Sequence, residues 1–307
     1  MESDIKVRRV RFDLGDDDIP FLWQPERPAF SIYTNYMSFI APGFENMIVD
    51  ATREAIPLMT DPAAIKEANL FLRQEAQHSA AHIRHINALL RRYPGLQETH
   101  DEMMASYANL TATKPLMWRL AYTAALENTF TPYFKVYLDH QEKLFAPGDD
   151  RVASLFLWHF CEEIEHRSSA MVVYNAVNGS FLYRLKAIGS VVKHIGETTG
   201  IVSRGFQKHI PADDGGHYGA LLSEGFGMRG FSGARRATKR LGLTSQQAPY
   251  AGVPRSEIIA MLIGLIRSQA PHANHKDAKV PEFAYRWFHR YEEDPAGAAH
   301  WYGSNTA

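Results

Sequence analysis

Cysteine and strong net charge are what this 307-residue sequence has least of. Its one cysteine, Cys161, excludes an intrachain disulfide, so the composition does not imply an oxidising compartment. The formal net charge is -1, from 33 basic and 34 acidic residues, which gives no electrostatic reason to expect a nucleic-acid partner.

Long apolar runs are missing as well. No uncharged apolar stretch approaches the roughly 18 residues of a membrane span, so no spanning helix is expected. Residues 1–11 carry charges throughout and lack the apolar core of a signal peptide. We therefore expect a cytoplasmic protein.

Four long segments with helical periodicity make up the first two thirds of the chain, and they predict an all-α fold. The segments cover residues 31–59, 62–92, 115–144 and 150–178, with a shorter crossover helix near 97–110. Asp61 before Pro62 is a typical N-terminal cap, and Pro94 with Gly95 stops the second segment. Prolines make residues 1–30 an irregular leader.

The second segment carries ionisable residues in the middle of an otherwise apolar stripe. Glu75 and His78 are three residues apart and share one helix face. The fourth segment repeats this Glu-x-x-His spacing in Glu163 and His166. A carboxylate and an imidazole that face a core incur a large desolvation penalty, which a metal ion offsets. The duplication therefore predicts two metal ions held by paired helices.

Two further glutamates complete the pattern of a ferritin-like di-metal bundle. Such a bundle needs one glutamate from each of two more helices, and Glu45 and Glu127 lie on suitable apolar stripes. The 30 residues from Glu45 to Glu75, and the 36 from Glu127 to Glu163, each allow one helix, a turn and a return to the same level. A competing interpretation makes Glu45 an exposed acid in the first turn of a new helix that begins after Pro42.

These residues resemble a known family. The resemblance rests on Pro42-Gly43-Phe44-Glu45, on residues 71–87 (FLRQEAQHSAAHIRHIN), on Ala125-Leu126-Glu127 and on residues 158–166 (WHFCEEIEH). Together they look like the bacterial ferritin-like family labelled "predicted metal-dependent hydrolase". The resemblance covers roughly residues 31–185 and implies a metal-dependent enzyme.

Neighbouring polar side chains are each compatible with two roles. His82, one turn beyond His78, is either a third histidine ligand or a hydrogen-bonding partner of a ligand. His159 is either a further ligand or a proton relay, and Glu162 competes with Glu163 for the ligand position. The aromatic-rich third segment is explained by core packing, or by a substrate pocket near Glu127 that Tyr122, Thr123 and Phe130 line.

The remainder of the chain carries no second chemical motif. Residues 31–210 are predicted to form the bundle, and residues 211–307 to form a glycine-rich loop and additional helices that pack on the bundle. A homodimer contact is one possible use of this glycine-rich part.

Three functions are compatible with such a centre. By analogy of fold we favour an oxidase or oxygenase in which two ions, preferably iron, activate O2 with an electron donor to oxidise a small organic substrate. The alternative is a two-metal hydrolase, with manganese or zinc as the other candidate metals. A non-catalytic metal-binding bundle is the third.

Overall fold

A computed structural model describes residues 5–15, 18–177, 179–225, 236–271 and 278–303. Over these ranges the chain is helical and has no β-strand, which confirms the all-α prediction. Within the same ranges, no helix is long and apolar enough to cross a membrane. Residues 226–235 of the glycine-rich stretch and Asn178, the predicted end of the fourth segment, lie outside the described residues.

Short connections join the helices of the first two thirds of the chain, and longer segments separate several of the later ones. In chain order they are α1 (Pro28–Ala55), α2 (Pro62–Arg92), α3 (Leu96–Thr113), α4 (Leu116–Asp139), α5 (Gln141–Leu144), α6 (Asp150–Glu165), α7 (Ser169–Ala176), α8 (Phe181–His209), α9 (Ala220–Gly225), α10 (Arg255–Arg267), α11 (Glu282–Glu293) and α12 (Pro295–Ala298). Short 3-10 turns occur between several of them, and residues 236–240 are helical too. The described residues before Pro28 form no helix.

Local sequence explains where α2 and α6 begin. The Asp61 carboxylate accepts a hydrogen bond from the backbone N–H of Ala63, and Pro62 occupies the first helical position, where its missing N–H is not needed. Asp149 likewise accepts from the N–H groups of Arg151 and Val152. Both starts agree with the prediction from the sequence.

The helix α1 runs through Pro42 without interruption. Proline has no backbone N–H, so the carbonyl of Ser38 lacks its usual donor four residues on. Glu45 lies three residues further, inside the helix, and its side chain is buried. The competing interpretation, in which Glu45 starts a new helix as an exposed acid, is therefore wrong.

The fourth predicted segment forms two helices instead of one. The helix α6 ends at Glu165, and a tight turn follows in which Ser169 N donates to His166 O at 2.7 Å before α7 begins. His166 therefore lies immediately after the last residue of α6.

Contacts between side chains give the directions of the principal helices. In α1 and α2, Asn46 meets Ser79 whereas Ser38 meets His82 and His85, so the numbering runs in opposite directions. The pair α4 and α6 behaves in the same way. Phe134 stacks on Phe160, with ring centroids 4.1 Å apart, while Glu127 approaches His166. The four helices with the candidate ligands therefore form two antiparallel pairs.

The other helices pack around these pairs. Both α8 and α10 contact α4, and α3 contacts α1 and α8. The C-terminal helix α11 packs on α6 and α4, beside the N-terminal segment 5–15. The division into leader, bundle and C-terminal part stays a prediction.

Candidate metal centre

Seven ionisable side chains from α1, α2, α4 and the end of α6 meet in the interior, and all are buried. The donor atoms fall into two groups, within each of which they lie no more than 4.8 Å apart. The first group contains Glu45, His78 and His159, and the second contains Glu75, Glu127, Glu163 and His166. All six predicted ligands are thus brought together, and His159 joins them.

Glu163 connects the two groups because its two oxygens face in different directions. Its Oε1 lies 2.9 Å from His159 Nε2 and 3.5 Å from His78 Nδ1, both in the first group. Its Oε2 lies 3.1 Å from His166 Nε2 in the second group. A carboxylate in this position can contribute one oxygen to each of two metal ions.

Several donor atoms of these groups have no hydrogen-bond partner among the described residues. They are Glu45 Oε2, both oxygens of Glu75, His78 Nδ1 and Glu127 Oε1, and all five are buried. Glu75 Oε1 lies 3.1 Å from His166 Nε2 without forming a hydrogen bond. Buried polar atoms of native proteins are almost always paired, so unpaired donors that converge on one place fit a bound cation.

Burial and mutual repulsion dominate the electrostatics of the metal-free centre. Burial, with the charges of Glu163 and Glu127, raises the pKa of Glu45 well above its ordinary value. The pKa of Glu75 is raised in the same way, and that of Glu127 is raised to about 8 by burial and by Glu163. These carboxyl groups require compensating positive charge to be ionised together.

Glu163 and His166 behave as an ion pair. Burial opposes ionisation of both groups, but their mutual attraction outweighs it. The pKa of Glu163 therefore lies well below the ordinary value and that of His166 well above it. A metal ion bound at His166 Nε2 would replace this proton and would supply the positive charge that Glu163 requires.

Each histidine of the two groups has a hydrogen-bond partner on the ring nitrogen that faces away from the cluster. His166 Nδ1 donates to Gln74 Oε1 at 3.0 Å, and His78 Nε2 donates to Glu162 Oε2 at 3.0 Å. Such partners fix the tautomer and the orientation of a ligating ring. They leave His166 Nε2 and His78 Nδ1 available to a metal.

His82 is the corresponding partner of His159. A hydrogen bond of 2.7 Å joins His82 Nε2 to His159 Nδ1, and the other His82 nitrogen lies 2.9 Å from Ser38 Oγ. Ser38 Oγ is also hydrogen-bonded to His85 Nδ1, at 2.8 Å. Burial lowers the pKa of His82 well below its ordinary value and that of His85 to about 4. His82 and Glu162 thus lie behind cluster histidines and outside both groups of donor atoms.

Tyr122, Thr123 and Phe130 are all on α4, as Glu127 is, and their part in a substrate pocket stays a prediction. The Tyr122 hydroxyl is hydrogen-bonded to His194 Nδ1 at 2.8 Å and lies 3.4 Å from the Tyr107 hydroxyl. Phe130 packs against Phe44 and Phe134. Thr123 is buried one turn before Glu127, and its hydroxyl has no partner in the described part of the chain.

Sequence reasoning missed several residues of the site. Gln74 supports His166 of the cluster, Ser38 supports His82 behind it, and Arg8 contacts Glu162 from the N-terminal segment. Gln74 immediately precedes Glu75, so its place in the motif could have signalled it. Nothing local in the sequence distinguishes Arg8 from Arg9 or Arg11, because no helical periodicity exists in that segment.

Comparison with known proteins places the chain in one protein family. A family model described as "Predicted metal-dependent hydrolase" matches residues 6–223, about seven tenths of the chain. No curated protein and no solved structure gives a significant match. The family description agrees with the hydrolytic alternative of the sequence analysis, whereas the favoured redox chemistry receives no support from it.

Proposed function

Because the chain belongs to the family of predicted metal-dependent hydrolases, we propose that it is a hydrolase with two metal ions in a ferritin-like bundle. The convergence of seven buried donor residues, five of whose donor atoms are unpaired, carries this proposal. A structural ion pair would leave no such atoms unsatisfied, since each unpaired buried polar group costs about 1–3 kcal/mol.

The donor groups suggest how two ions would be held. Glu45, His78 and His159 would bind the first ion, while Glu75, Glu127 and His166 would bind the second. Glu163 would bridge them. This is the arrangement of ferritin-like proteins, one glutamate and one Glu-x-x-His motif for each ion, with His159 in addition.

The chemistry of such a centre divides between the metals and the chain. When bound, two divalent ions supply a nucleophilic water at neutral pH and polarise the bond to be cleaved. The chain holds the ligands rigidly, because Gln74, Glu162 and His82 each fix one histidine ring. Trp158 and Phe71 pack edge-on against His78 and His166, with ring centroids 4.9 Å apart in each pair, and keep water from those faces.

The charges of the centre favour a neutral small-molecule substrate. Four carboxylates balance two divalent ions, so the loaded centre would carry no net charge to attract an anion. The buried arginines of the described chain are Arg8, Arg119 and Arg184, and each already contacts a protein acceptor. An ester or amide carbonyl fits this balance better than a phosphate.

The donor set also bears on metal identity. Four carboxylates and three imidazoles suit iron and manganese, and zinc is the third candidate. The same carboxylate-rich set of ligands is also compatible with an O2-dependent oxidase or oxygenase, which is the second candidate function. It would need an electron donor that hydrolysis does not need.

One experiment separates the two functions. The protein, loaded in turn with Mn2+, Zn2+ and Fe2+, is incubated with a panel of neutral esters and amides under air and under argon. Hydrolysis that needs metal and proceeds without O2 is expected. Glu75→Gln should abolish it, whereas Glu197→Gln, at an exposed position, should not. O2 consumption by the iron-loaded protein with a reductant, without hydrolysis under argon, would reject the hydrolase in favour of the oxidase.

A further inference from the structure

Arg8 is a buried cation directly behind the candidate metal centre. Only 4% of its side chain is exposed, and it forms two hydrogen bonds to Glu165, of 2.8 and 2.9 Å. Its Nη1 also lies 3.4 Å from Glu162 Oε1. The second oxygen of Glu162 accepts the hydrogen bond from His78 Nε2. A continuous set of contacts therefore runs from Arg8 through Glu162 to a candidate metal ligand.

The segment that carries Arg8 is held in place by the C-terminal helix α11. The Arg8 guanidinium lies 4.2 Å from the centroid of the Phe288 ring. The Tyr291 hydroxyl accepts from Arg9 N at 3.0 Å and donates to Arg9 O at 3.3 Å. Lys6 forms an ion pair with Glu292 on the same helix. The position of Arg8 thus depends on a helix that lies outside the family match.

Glu162 needs a positive neighbour to act as a hydrogen-bond acceptor. Its side chain is wholly buried, and an unpaired carboxylate in such a place is strongly disfavoured. Of the three buried arginines in the described chain, Arg119 pairs with Glu54 and Arg184 with Gln269, so Arg8 is the one placed to supply the charge.

We propose that Arg8 is a positioning residue of the metal centre, acting through Glu162 on the ring of His78. The inference rests on the proposed function, because it takes His78 as a ligand. Arg8 holds Glu162 where it accepts from Nε2–H of His78, and the ring then presents Nδ1 to the first metal ion. The helix α11 contributes to the site by holding Arg8 in place.

The second metal ion depends on Arg8 less directly. From Arg8 the contacts reach His166 through Glu165 and Gln74, one residue more than the route to His78. Gln74 also donates to the backbone carbonyl of Lys6, at 3.0 Å, so it keeps a contact that does not pass through Glu165, although Arg8 donates to the same carbonyl, at 3.1 Å. Loss of the Arg8 charge should therefore lower the affinity for the first metal ion more than the affinity for the second.

The test compares Arg8→Met with Lys6→Met in the full chain, by titration of each metal-free protein with Co2+. Lys6 lies two residues away and also contacts α11, but its side chain is exposed. Removing partners of metal ligands typically lowers affinity 10–100-fold. Because Arg8 acts through Glu162, Arg8→Met should lower the affinity for one Co2+ by about tenfold, the lower end of this range, and change the other less than threefold. Lys6→Met should leave both unchanged, and Arg8→Lys should be intermediate.

A second readout concerns the His78 ring itself. In the Co2+-loaded wild type, the paramagnetically shifted Nε2–H proton of His78 should exchange slowly with solvent, and in Arg8→Met it should exchange faster. If Arg8→Met does not fold, Phe288→Leu provides the test. It should lower the affinity for the same Co2+ ion, by a smaller factor than Arg8→Met.

The outcomes separate the two proposals. If Arg8→Met binds two Co2+ ions with the same affinities as Lys6→Met, and the His78 Nε2–H proton exchanges at the wild-type rate, the role of Arg8 is overturned. The proposed metal centre is unaffected by that result. Equal weakening of both ions would also overturn it, because the effect would then not pass through His78. Wild-type protein that binds no Co2+ would overturn the proposed function and, with it, the role of Arg8.

Discussion

Replacement of Glu163 by glutamine gives the sharpest test of the two-metal arrangement. The amide has the shape of the carboxylate but no charge. Oε1 of Glu163 faces the first donor group and Oε2 faces the second. The substitution should therefore lower the affinity for both metal ions. The Glu127 carboxylate belongs to the second group alone, so Glu127→Gln should lower the affinity for one ion only.

The size of the effect follows from the charges. Two unit charges about 4 Å apart attract by about 4 kcal/mol at an effective dielectric constant of about 20. A divalent ion doubles this value, and each carboxylate oxygen carries about half of the unit charge, so each ion loses about 4 kcal/mol through the oxygen that faces it. Since about 1.4 kcal/mol corresponds to a factor of ten, each affinity should fall about a thousandfold.

The assay is metal content by mass spectrometry after dialysis, together with calorimetric titration of the metal-free proteins. Circular dichroism checks that each variant is folded. We expect two ions in the wild type, one in Glu127→Gln and none retained in Glu163→Gln. A folded Glu163→Gln variant that kept either ion at wild-type affinity would refute the bridging position.

Two further predictions concern the surroundings of the ligands. His82→Ala removes the hydrogen bond to His159 Nδ1, so the affinity for the first ion should fall 10–100-fold while the affinity for the second stays the same. Unchanged affinities and an unchanged metal spectrum would show that His82 does not orient His159. The pKa of Glu127 is raised to about 8, so below that pH the metal-free carboxyl is protonated and the metal must displace a proton. Metal affinity should therefore rise with pH up to about 8, and calorimetry in buffers of different ionisation enthalpy should detect more protons released at pH 6.5 than at pH 9. Equal proton release at the two pH values would contradict this.

The sequence alone determined the positions of the helices α1 to α4 and the pairs of candidate ligands in the chain. The bounds of α2 were predicted at both ends, because Asp61 with Pro62, and Pro94 with Gly95, act on the backbone locally. The Glu-x-x-His spacing puts two donors on one helix face in any tertiary context. The duplicated motif and its separations therefore predicted which six residues would meet.

Only the tertiary structure decided the roles of the residues around them. Whether His82 or His159 joins the donor atoms depends on how α2 and α6 are rotated against each other, and neighbouring turns of a helix look alike in sequence. Likewise, the orientation of Glu163 between two groups requires the positions of three other helices. Arg8 lies more than 150 residues from Glu162 along the chain, in a segment without periodicity, so only the packing of α11 and the N-terminal segment brings its charge to the candidate metal centre.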